Sequence, residues 1–170
     1  MKNLKKILLC GVSLAAVVIF GLSFLAKITL TTMGNVVFQY KNVIWGTTMD
    51  NIKLGPAIAP MIGVILILAG GLCIGCMALA GDKLLKKELH VRIAIIASAV
   101  LMMVGGLLLF FTKDSLAAAY GRVDPHATKQ QVLSLWNEMH PKTTVSVILG
   151  IVAILAGIAG CGAEVFIKEK

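Results

Sequence analysis

Residues 60–81, PMIGVILILAGGLCIGCMALAG, run for 22 positions without a charge and stop abruptly at Asp82-Lys83. No other feature restricts the fold as much. At about 1.5 Å per residue, a helix of this length crosses the roughly 30 Å hydrocarbon core of a bilayer. Similar uncharged runs recur before and after it, so spans are expected at 7–26, 60–80, 93–112 and 143–163. The chain is 58% hydrophobic and only 14% charged, whereas soluble domains average about 45–50% and about 25%. The expected fold is all-α: a four-helix transmembrane bundle forming a single polytopic membrane domain over residues 1–170.

The formal net charge of +8 would suggest nucleic acid in a soluble protein. Here the charges form short caps beside apolar runs, where anionic headgroups and the positive-inside rule account for them. The expected partner is therefore the lipid bilayer and not nucleic acid. Residues 1–6, 81–92 and 168–170 hold nine Lys and Arg in 21 positions, and residues 27–56 and 113–142 hold seven in 60. The dense side is expected to be cytoplasmic, in the plasma membrane, with both termini inside and both long connections outside. Lys2, Lys5 and Lys6 before a 20-residue apolar run also fit a signal peptide. The run is long, however, and Phe24 takes the −3 position of the one tempting cleavage site, after Ala26. The reading is a signal anchor, the first span.

The two long connections differ in kind. Residues 36–45, VVFQYKNVIW, are rich in β-branched and aromatic types, which fits a short strand or hairpin arm. Tyr40 and Trp45 equally suit an interfacial belt or a partner contact. In the second connection Asp124-Pro125 reads as N-cap and first turn, and Pro141 as the stop. Val132, Leu135, Trp136 and Met139 then share one face at helical spacing. This predicts an extra amphipathic helix in the second extracytoplasmic loop, with Trp136 and Met139 as candidate interface residues.

Within the spans, Gly71-x-x-x-Gly75 and the series Ala153, Gly157, Cys161 allow close backbone approach. They serve packing inside the bundle or docking of another membrane subunit or a second copy. The tetrapeptide Ile-Leu-Ala-Gly occurs at 67–70 and at 154–157, in the second and fourth spans, an outline of two similar hairpins. Cys73 and Cys76 stand at i, i+3 on one helix face. Thiols so placed pack as small hydrophobes, or bind a soft metal, or do redox chemistry. Four spans with Cys-x-x-Cys resemble the layout of the quinone-coupled disulfide-forming enzymes and the vitamin K epoxide reductases. Those families relay oxidation through further cysteines in an outer loop, and both outer connections here have none.

Charge is scarce at depth. No span has an Asp, Glu, Lys, Arg or His in its central portion, and Glu164 sits near the inner end of the fourth. Ion-coupled transporters and proton relays use an ionisable group at depth. The small multidrug exporters share the four-span layout but depend on an embedded acid that this chain lacks. His126, Asp124, Glu138 and His140 share one connection, although a helix cap and a helix end explain Asp124 and His140. The topology also resembles that of claudins and tetraspanins, without the tetraspanin cysteine pattern or the claudin Trp and paired-cysteine signature. No cofactor and no catalytic residue is expected. The leading expectation is a non-enzymatic membrane protein acting through contacts: an accessory subunit, an assembly factor or a surface interaction protein. The alternatives are a small oligomeric transporter or channel, and a thiol-dependent redox enzyme using Cys73 and Cys76.

Overall fold

The computed structural model describes residues 2–25, 27–30, 36–49, 52–84, 88–121, 130, 134 and 143–167. In chain order these form α1 (Lys2–Leu25), β1 (Lys27–Leu30), β2 (Val36–Gln39), α2 (Tyr40–Trp45), β3 (Thr47–Met49), β4 (Ile52–Leu54), α3 (Ile58–Leu84), α4 (Glu88–Phe110), α5 (Thr112–Gly121) and α6 (Thr144–Phe166). The protein is all-α in its bundle, with four helices long and apolar enough to cross a membrane: Leu4–Leu25, Ile58–Ala80, Leu89–Phe110 and Thr144–Phe166. These helices start or finish a few residues beyond the uncharged runs and take Lys5, Arg92 and Glu164 into their ends.

The four long helices form a ring in which α3 packs on α4, α4 on α6, and α1 on both α3 and α6. Glycine dictates how closely they approach. A methyl group added at Gly63 would stand 2.7 Å from the Gly105 carbonyl oxygen, and one at Gly105 would stand 2.6 Å from that of Gly63. Two turns along, a methyl at Gly70 would stand 2.5 Å from the Ser98 carbonyl oxygen. The α4–α6 seam repeats the pattern. Gly106 and Gly150 oppose each other at 2.7 Å in both directions, and a methyl at Gly157 would stand 2.8 Å from the Ala99 oxygen. Each helix therefore repeats its small residue after seven positions, at 63/70, 98/105, 99/106 and 150/157, and the partners run antiparallel. A seven-residue step keeps one stripe facing its neighbour, the geometry of left-handed bundles. Large buried side chains, among them Ile67, Ile74, Met102 and Leu109, fill the centre between the seams.

Gly70 and Gly157, the matched ends of the two Ile-Leu-Ala-Gly segments, both face α4. Two equivalent hairpins would instead turn Gly70 to α1 and Gly157 to α4. The shared tetrapeptide thus occupies two different packing environments.

The first connection departs from a plain strand. β1 pairs antiparallel with β2, Lys27 opposite Gln39 and Leu30 opposite Val36, and β3 pairs with β4. Between the hairpins the segment 40–45 is helical, so the strand reading of 36–45, one of two beside an interfacial belt or surface-lying segment, ends at Gln39. Ile44 explains the switch, because it is fully buried and one helical turn lowers it onto the ends of α1 and α3. Gly46, at φ 83°, turns the chain out of α2, a conformation costly for residues with a Cβ.

At the far end of α4 the helix breaks at Phe111 and restarts as α5. The Thr112 hydroxyl donates to the Leu109 carbonyl at 2.6 Å, and Leu116, Ala117 and Ala119 are buried. The amphipathic helix expected after Asp124 lies outside the described residues except at Gln130 and Ser134, both helical and exposed.

Candidate functional site

Two regions combine polar or aromatic chemistry with a fixed frame. The first is the end of the bundle where α1 begins and α6 finishes. Lys5 of α1 donates from Nζ to Glu164 Oε1 of α6 at 3.0 Å, between residues 159 positions apart. The Glu164 side chain is 1% exposed and the Lys5 side chain 8%. Arg92 of α4 adds a second cation, with Nε 3.5 Å from the same oxygen and 42% of its side chain exposed. Glu164 Oε2 accepts no hydrogen bond from any described residue.

Three helices thus converge on one carboxylate. Bringing these groups out of water is expensive, and the return is alignment: only one register of α1 against α6 pairs Lys5 with Glu164. Sequence reasoning placed Glu164 near the inner end of its span but missed its partners. The available signal was depth. In an up-and-down bundle Lys5, Arg92 and Glu164 all fall within about one turn of the same ends.

The second region lies at the opposite end of the bundle, α2 with its flanking hairpins. Trp45 is 40% exposed. Its ring stacks on Phe24 of α1 at 6.3 Å between centroids and 23° between planes, and Phe24 meets Phe20 edge-on at 5.1 Å. Lys41 lies exposed on the same short helix. Tyr40 begins α2, while Trp136 and Met139 lie outside the described residues.

The remaining candidates separate from one another. Gly71 and Gly75 face α1. A methyl at Gly71 would overlap the Ala16 side chain, and one at Gly75 would stand 2.5 Å from Ser13 Oγ. Ala153 is fully buried beside Gly106, and Gly157 lies against α4. These small residues are engaged within the bundle. Cys73 and Cys76 are both exposed, on the outward side of α3, whereas Cys10 and Cys161 are half-buried; all four are free thiols. A thiol site at 73 and 76 would stand at the lipid surface, apart from the Glu164 cluster in the bundle's end. Among the described residues no three His, Cys, Asp or Glu side chains group closely enough to hold a metal ion. Asp124, His126, Glu138 and His140 lie outside the described residues.

Compared with family models, curated proteins and solved structures, the chain matches none of them.

Proposed function

We propose that this is a non-enzymatic, multi-pass plasma-membrane protein that works through contacts with another membrane protein, with both termini cytoplasmic. The observation that carries the reading is the seating of α2. Ile44 anchors it from below, the Phe24 ring fixes Trp45 from the side, and Lys41 and part of the indole face outward. An aromatic held rigid at the surface loses little freedom when a partner covers it, which is how interface anchors are built. The glycine seams support the same reading. Backbones this close leave no room for a solute path along α3–α4 or α4–α6.

The test is recovery of a partner from mild detergent under native expression, comparing the unchanged chain with Trp45→Ala, Lys41→Glu and the lipid-side control Leu79→Ala. The expected result is one stoichiometric partner kept by the control and reduced at least about tenfold, or roughly 1.4 kcal/mol, by the α2 changes. A chain recovered alone, or a partner retained equally by all variants, contradicts the proposal.

A further inference from the structure

Helix α1 holds its two neighbours unequally. Against α3 it packs Ala16 on Gly71 and Ser13 on Gly75. Against α6 it makes the sparsest of the four seams in the ring. The Lys5–Glu164 pair closes that seam at one end. At the other it opens into a groove of about 270 Å³, lined by Leu22, Leu25, Val145, Ile148 and Leu149.

Chemistry and size select the occupant. Among the described residues the five lining side chains are all aliphatic and belong to the apolar spans. Leu25 is 76% exposed and Ile148 54%, so the groove is open on its outer side, where the bundle meets the bilayer. Water finds no polar side chain to bond among these five, and apolar cavities stay dry. At roughly 30 Å³ per heavy atom, water's share of its liquid volume, the space holds about nine such atoms. A helix about 10 Å across does not enter it, whereas a segment of one unbranched hydrocarbon chain does. No hydrophobic force drives one apolar surface onto another in a bilayer. The gain is dispersion contact, which an unfilled gap forfeits on every wall. We infer that the groove between the outer ends of α1 and α6 seats one acyl chain of a membrane lipid, independently of any protein partner at α2.

The test uses the full chain in phosphatidylcholine nanodiscs doped with a phosphatidylcholine bearing a photoactivatable diazirine near the carbonyl end of one chain. Labelled positions are mapped by mass spectrometry. Label is expected at 22–25 and 145–149 at about threefold the level at Ile62 and Leu107, which are exposed at the same depth outside the groove. Val145→Trp fills the space and is expected to lower label at Leu22 and Leu25 about threefold while leaving Leu107 unchanged; Val145→Ala enlarges it and raises the label. Uniform labelling across the four helices overturns the inference, as does indifference to both variants. So does efficient disulfide formation between copies carrying Ile148→Cys, which would identify a second copy as the occupant.

Discussion

Gly105 and Gly106 sit side by side on α4 and face opposite neighbours, Gly63 of α3 and Gly150 of α6. One extra carbon at either position meets backbone, which cannot rotate away. Gly105→Ala and Gly106→Ala are each expected to cost about 1–3 kcal/mol of bundle stability, as overpacking does. Gly11→Ala and Gly21→Ala meet nothing within 4 Å and should be neutral or stabilising by up to about 1 kcal/mol through helix propensity. Denaturation by SDS, followed by far-UV dichroism, ranks the four. The Lys5–Glu164 pair calls for a cycle instead of single changes. Lys5→Met takes the nearer cation from a buried carboxylate, with Arg92 at 3.5 Å, and Glu164→Met takes the shared anion from Lys5 and Arg92. Each single change is expected to cost about 3 kcal/mol, the lower edge of the range for breaking a buried pair, because Arg92 is partly exposed, and the double change less than the worse single, because an apolar pair replaces a costly polar one. Additive losses in the same assay would show that the two side chains act independently.

At the level of elements, the four long helices were legible because an uncharged run of about 20 residues has few alternatives. Their ends were less so. Hydropathy drops at Lys5, Arg92 and Glu164, yet the helices continue through them because the three charges meet one another. That meeting depends on residues up to 159 positions apart and is invisible to any local window. The glycine stripes were readable in principle from their seven-residue steps; the GxxxG spacing at 71 and 75 was the more conspicuous feature, and it marks the α1 contact instead. The short helix α2 was hidden because Val36–Gln39 and Tyr40–Trp45 have the same β-prone composition, and only the burial of Ile44 turns the second half helical. Two substitutions test that account. Ile44→Ala should cost about 2–5 kcal/mol locally, as for other buried aliphatics, and Gly46→Ala about 1 kcal/mol or more at its positive φ. Both are expected to speed proteolytic cleavage between residues 27 and 57 while leaving the bundle's helical dichroism unchanged. Cleavage no faster than in the unchanged chain would mean that α2 is held by something other than these two residues.

For the whole molecule, the outward surfaces of all four helices are largely apolar: Leu14, Leu79, Leu107 and Leu155 are all exposed. A surface apolar in every direction has no aqueous solution, and a bilayer supplies the one medium that matches it. Among the described residues the interior is held by backbone proximity along α3–α4–α6 and by a charged junction between α1, α4 and α6. The looser α1–α6 seam is where the ring can give. Antiparallel succession of the four helices is the claim on which every contact described here depends, since each pairing, from Gly63–Gly105 to Lys5–Glu164, exists only in that arrangement. Single cysteines in a background with the four native ones replaced by Ser or Ala test it directly, at positions 3, 86 and 169 and at positions 32 and 128, with a membrane-impermeant maleimide applied to intact cells and to opened membranes. The account predicts that 32 and 128 label in intact cells and that 3, 86 and 169 label only once the membrane is opened. Position 86 labelling from the same side as 32, or either terminus labelling on the side opposite to 86, would contradict it.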